Sequence, residues 1–161
     1  MDESLIVKLN PPRFETGRTL LIAGLSERYT FETNQGIPLL WQRFASWLGN
    51  VPGQIGNVAY GVCCNADGAG NFEYMAGVEV ASFDDLPAEF RRVRVPEHRY
   101  VVFTHTGHIS GIRGTWYTIL NQWLPQSGHE IADAPDFERY DDSFDRQTGT
   151  GKVEIWLPLK S

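Results

Sequence analysis

Cysteine is nearly absent from this chain of 161 residues. The two that occur are adjacent, Cys63 and Cys64, and neighbours in a strand point to opposite faces, so no disulfide framework is available. They read as inert small hydrophobes in an apolar strand of a protein from a reducing compartment. Positive charge is also scarce. Fourteen Lys and Arg stand against twenty Asp and Glu, for a formal net charge of −6. That balance argues against direct binding to a nucleic-acid backbone, which needs clustered basic residues that release counterions. Cationic partners are electrostatically easier. Long apolar runs are missing too: nothing approaches the eighteen or so residues of a membrane span, and "MDESLIVKLN" lacks the pattern of a signal peptide. A cytoplasmic protein without membrane contact is expected.

Chemical signatures are equally sparse. No Gly-x-Ser-x-Gly elbow occurs. The glycines of "NADGAGN" lack the lysine and following helix of a phosphate loop, and a hairpin turn explains them. His105 and His108 have no acid or cysteine grouped with them, so two satisfied or exposed imidazoles are expected in place of a metal site. No catalytic residues, metal or cofactor are expected.

What is present is a pattern that returns. "RTLLIAGLSERYTF" predicts a strand interrupted by Gly24, and "GIPLLWQRFASWLGNVPG" a helix with Leu40, Trp41, Phe44, Trp47 and Leu48 on one stripe. "NVAYGVCCN" and "NFEYMAGVEVASF" predict two more strands. "HRYVVFTHTG", "GIRGTWYTILNQWLPQSG", "DFERYDDSF" and "GKVEIWLPL" then repeat strand, helix, strand, strand. Trp41 and Trp47 are echoed by Trp116 and Trp123 with one extra residue between them. The expectation is a single α+β domain over 1–161, with β-α-β-β pseudo-repeats at about 15–82 and 98–161. They form a curved antiparallel sheet with helices on one side and a central ligand groove. The segment "DDLPAEFRRVRVPE", bracketed by Pro87 and Pro96, reads as a surface connection with one helical turn.

The last two strands carry the chemistry. Alternation places Glu138 and Tyr140 on one face of "DFERY" and Glu154 and Trp156 on one face of "KVEIWLPL", opposite Val153, Ile155 and Leu157. If the apolar trio packs on a helix, all four polar-aromatic residues share the groove. A carboxylate walled by rings loses hydration, which an organic cation restores. Ring faces add about 0.5 to 2 kcal/mol per well-placed cation contact. Tyr60, Trp41 and Trp116 are further candidate plates; Trp47 and Trp123 are expected in the core. Against this stand plainer roles: a solvated Glu138, and a surface ion pair of Glu154 with Arg139 or Lys152. "VEIWLPL" fits equally the last strand of a monomer and one shared between chains.

"PPRFETGRTLLIAGLSERYTF", "YVVFTHTG" before a Trp-rich helix, "PDFERYDDSF" and the closing "VEIWLPL" together resemble the GyrI-like effector-binding domain over roughly the whole chain. Such domains occur in AraC-type and MerR-type multidrug-sensing regulators and in the DNA gyrase inhibitor protein. "VPEHRY" departs from the pattern, with Glu97 and His98 in place of a small turn. The resemblance implies a pocket for amphipathic organic cations, with Glu138 as the charge contact and Glu154 and Trp156 facing the pocket. The stretch before the first strand is too short to read DNA, so the output would pass through a separate DNA-binding regulator. Two alternatives follow from the same relatives. One is an inhibitor that engages a basic protein through Asp84, Asp85, Asp141 and Asp142. The other is a small-molecule hydrolase in which Glu138 or Glu154 is the general base.

Overall fold

A computed structural model describes residues 6–30, 33–66 and 70–160. Among the described residues nine strands form one antiparallel sheet: β1 Arg13–Gly17, β2 Leu20–Thr30, β3 Gln54–Cys64, β4 Asn71–Val80, β5 Arg91–Val95, β6 His98–His108, β7 Asp136–Tyr140, β8 Phe144–Asp145 and β9 Thr150–Pro158. The order across the sheet is β1-β6-β9-β7-β3-β4-β2-β5, with β8 attached to β9. This order is symmetric about the β3/β7 pair, as a duplicated unit requires. The sheet curls into a half-barrel.

Two departures from the sequence reading concern the edges. "RFETG" forms a strand of its own and pairs with β6. "RRVRV", read above as part of a surface connection, is β5 and pairs with β2. Each half is therefore preceded by a short strand that closes the far edge of the other half. Neither strand is apolar enough to announce itself, because edge strands are favoured when they carry charge. Gly24 does not break β2. It sits opposite Gly77 where the two backbones approach closely, and a Cβ there would meet the Ala76 carbonyl. Of the predicted hairpin turn between β3 and β4, residues 67–69 lie outside the described residues.

The helices are α1 Ile37–Phe44, α2 Ile112–Thr118 and the single turn α3 Leu124–Ser127. Pro38 occupies the first turn of α1, where its missing N–H costs nothing. The one-residue difference between the repeats is absorbed by winding. A tight 3-10 turn, Ala45–Trp47, follows α1, and a wide π turn, Ile119–Trp123, follows α2. Both distal tryptophans pack on core rings as expected, Trp47 on Phe90 at 4.9 Å and Trp123 on Phe103 at 5.0 Å.

Register decides the two faces. α1 covers Ala23, Leu25, Ala76 and Val78, and α2 with its π turn covers Val101, Phe103, Ile155 and Leu157, on the same side of the sheet. Ala59, Tyr140 and Val153 fill the seam between them with Trp41 and Ile112. The opposite face holds its own apolar cluster, including Ile22, Tyr60, Val62, Met75, Tyr100, Val102 and Phe137. No helix is needed there, because a curled sheet folds that face over itself.

Candidate functional site

Glu138 lies on β7 at the seam between the two helices. Residues directly opposite in an antiparallel pair share a face. Glu138 is opposite Gly61 on β3 and Ile155 on β9. It therefore points to the helix-covered side, together with Tyr140 and with the apolar trio of β9.

Glu154 and Trp156 point the other way: Trp156 is opposite Phe137, and Glu154 opposite Arg139. The two acid-aromatic pairs do not share a wall. The sequence reading assumed that Val153, Ile155 and Leu157 would take the helix side and the acids the other. Each strand does alternate, but β7 meets β9 one residue out of the expected phase. Tyr60 is opposite Arg139 and also leaves the Glu138 face. On that far face Glu154 pairs with Arg13 at 2.7 Å and lies 3.7 Å from Arg139. Trp156 stacks on Phe137 at 5.4 Å, donates its indole N–H to Glu154 at 3.1 Å and has the Arg13 guanidinium over its ring. This cluster already supplies its own cation.

Around Glu138 the arrangement is different. The residue is 6% exposed. Its Oε1 accepts hydrogen bonds from the hydroxyls of Tyr74 and Tyr140, both at 2.8 Å, and its Oε2 accepts one from the Trp116 indole N–H at 2.8 Å. Trp41 donates to the Tyr74 hydroxyl at 3.0 Å, and its ring lies 5.3 Å from that of Tyr140. Of the seven site residues read from the sequence, Glu138, Tyr140, Trp41 and Trp116 come together. Glu154, Trp156 and Tyr60 do not.

Tyr74 is the member that sequence reasoning missed. A signal was present: in "NFEYMAGVEV" Phe72, Tyr74, Ala76, Val78 and Val80 alternate with Asn71, Glu73, Met75, Gly77 and Glu79, which puts Tyr74 on the apolar, helix-facing side, and pairing with Cys63 on β3 brings it beneath the acid. Gly61 is the second. A Cβ there would collide with the Tyr74 hydroxyl and Glu138 Oε1. The position that mirrors Glu138 in the other half thus supplies room.

The electrostatics follow from this enclosure. Burial, reinforced by the charge of Glu138, pushes the phenols of Tyr74 and Tyr140 well above their usual range, so both remain donors. An ionised carboxylate is acceptor-only, and three charge-assisted bonds suit it. Yet all three donors are neutral. Among the described residues no Lys or Arg forms an ion pair with Glu138; Arg139, next in sequence, is turned to the other face and bonds Asp141. The carboxylate is hydrogen-bonded but not neutralised.

His105 and His108 are hydrogen-bonded imidazoles. His105 Nδ1 meets the Thr115 hydroxyl at 2.7 Å and Nε2 the His108 carbonyl at 3.0 Å. No group of three metal-ligating side chains occurs among the described residues. Burial raises the Cys63 thiol far above its usual value and Cys64 to about 11, which keeps both unreactive. An open hollow of about 340 Å³ between Val7–Asn10 and β6 is bordered by His105 and Thr115, not by Glu138 or its rings. Among the described residues no helix is long and apolar enough to cross a membrane.

Fold and site define a small-molecule-binding module: a duplicated half-barrel whose two helices close over a buried glutamate held by aromatic donors. The chain belongs to the GyrI-like family, matching the GyrI-like small molecule binding domain over residues 10–160. It is 32% identical over 122 residues to the transcriptional regulator BrlR of Pseudomonas aeruginosa, covering 74% of this chain and 45% of BrlR. The chain thus spans less than half the length of that relative. A shorter match, 37% over 46 residues, is to a DNA gyrase inhibitor of Erwinia billingiae, covering 27% of this chain and 28% of the inhibitor. Among solved structures it resembles SAV2435 bound to tetraphenylphosphonium, with a TM-score of 0.78 at 21% identity, covering 94% of this chain and 95% of the other.

Proposed function

We propose that this protein binds amphipathic organic cations, with Glu138 as the charge partner and Trp41, Tyr74, Trp116 and Tyr140 as the surrounding plates. The observation that carries this reading is a buried carboxylate with three neutral donors and no cationic side chain paired to it. Such a group is stabilised by a guest of opposite sign more than by anything the fold itself supplies. The bound tetraphenylphosphonium of SAV2435, a structure of the same fold, supports the same charge type. Flat rings impose charge sign and planarity but little shape, so broad selectivity follows.

Entry requires a movement. Trp41 from α1 and Trp116 at the C-terminal end of α2 cover the acid, so a guest displaces at least one indole and takes over the hydrogen-bonding and ring contacts it gave up. The output is carried by whatever DNA-binding partner or domain responds to that displacement, as the relation to BrlR suggests. The test is a fluorescence titration with a lipophilic phosphonium dye and a neutral analogue of the same shape. Binding of micromolar order, about −8 kcal/mol, is expected for the cation. Glu138→Gln weakens it by about 1.5 to 3 kcal/mol, the worth of hydrogen bonds to a charged group. Equal binding of the neutral analogue, or an unchanged affinity in the variant, overturns the reading.

A further inference from the structure

Asp136 precedes Glu138 by two residues on β7 and points to the same side of the sheet, because side chains at i and i+2 share a face. It is directly opposite Cys63. Its Oδ1 is sealed from solvent and has no hydrogen-bond partner, the only side-chain atom of this kind among the described residues. Such an orphan costs roughly 1 to 3 kcal/mol, and elsewhere in this site every acceptor is satisfied. Fold stability does not account for it. Cys63, Glu138 and the Asp136 backbone are the groups that act on this carboxyl. None is a cation, and the like charge of Glu138 opposes its ionisation. Burial is the largest effect and, with the charge of Glu138, pushes the carboxyl up to about 7 against hydrogen bonds from Cys63 and from its own backbone, which lower it.

Resting on the reading of Glu138 as a cation contact, we propose that Asp136 is a second anionic contact in the same site, so that the protein prefers organic dications to monocations. Two residues along a strand span about 7 Å, which sets the separation of the two positive charges. A rigid, flat dication of that reach meets both carboxylates at once. One charge answers Glu138, and the other answers the oxygen of Asp136 that has no partner inside the fold. A monocation satisfies Glu138 and leaves Asp136 largely as it is.

The experiment compares N,N′-dibenzyl-4,4′-bipyridinium, a dication, with N-benzyl-4,4′-bipyridinium, a monocation, by calorimetric titration of the wild-type protein, Asp136→Asn and Glu138→Gln. Asp136→Asn is expected to lose at least about tenfold in dication affinity while changing the monocation by no more than about twofold. An unchanged ratio of the two affinities overturns the proposal. Glu138→Gln is expected to weaken both compounds, and if it weakens neither, the reading of the site itself fails. A measurement on the wild-type protein alone covers a variant that does not fold. In two buffers of different ionisation enthalpy at pH 7, dication binding is expected to release more protons than monocation binding, because the second charge drives Asp136 to ionise. Equal proton release also overturns the proposal.

Discussion

At the scale of single residues, Glu138 and Asp136 show how one strand face can hold two acids with opposite histories. Glu138 is met by three donors; Asp136 Oδ1 by none. Burial, with the charge of Glu138 adding to it, holds Asp136 at about 7, above its ordinary 3.8. A carboxyl whose folded value is raised keeps its proton in the native state over a range where the unfolded chain has lost it. Stability contributed by this group is therefore fully present below about pH 4 and declines as pH rises toward about 7. Urea unfolding at pH 5 and pH 8 is expected to show a loss on the order of 1 to 3 kcal/mol in the wild-type protein attributable to this residue. In Asp136→Asn that part of the pH dependence is absent. Parallel pH profiles for the two proteins would contradict the assignment.

At the scale of elements, the sequence announced the long strands and both helices through periodicity, but not the edge strands or the register. Arg91, Arg92 and Arg94 make "RRVRV" read as a loop, while Val93 and Val95 alternate toward the far-face cluster as a strand demands. The exposed arginines of β5 put charge along an edge strand that pairs only with β2, the pattern that disfavours edge-to-edge pairing. Replacing Arg92 and Arg94 together by valine is expected to leave the circular dichroism spectrum unchanged and to produce concentration-dependent association in light scattering, since the edge then becomes apolar and unpaired. A variant that stays monodisperse at high concentration would assign the arginines another purpose. Register was illegible for a different reason. A shift of one residue exchanges the faces of a whole strand, and nothing local in "DFERY" or "KVEIWLPL" states which residue of one meets which of the other. The reading put both acid-aromatic pairs on the face away from the helices; Glu154 and Trp156 do lie there, and Glu138 and Tyr140 are the pair that register turns to the helix side.

At the scale of the whole molecule, the net charge of −6 acts together with the enclosed acid. A surplus of acidic side chains raises the local concentration of cations and speeds their encounter with the protein, an effect that salt screens over about 10 Å at 0.1 M. Stopped-flow association of a cationic dye is expected to slow as ionic strength rises from about 10 mM to about 500 mM, with dissociation changing much less, because the buried contact is poorly screened. If dissociation carried the salt dependence instead, Glu138 would have to be exposed in the complex. On the proposed function, with Trp41 and Trp116 over the acid, that encounter has a second step in which an indole gives way.

Periodicity alone left Glu138 open between a solvated and an enclosed role, which the family resemblance tipped toward enclosure; the sequence by itself determined the class of fold and the returning strand-helix-strand-strand order. Those properties reside in residue type and spacing along the chain, and helical and strand periods display them directly. Tertiary structure alone decided that Glu138 and Tyr140 turn to the helix side while Glu154, Trp156 and Tyr60 lie on the other, that Gly61 makes room for the acid, and that Asp136 stands beside Glu138 with one oxygen unanswered. The physical reason is that a strand's two faces are interchangeable until pairing with distant strands assigns one to the helices, and that assignment is a property of the assembled sheet.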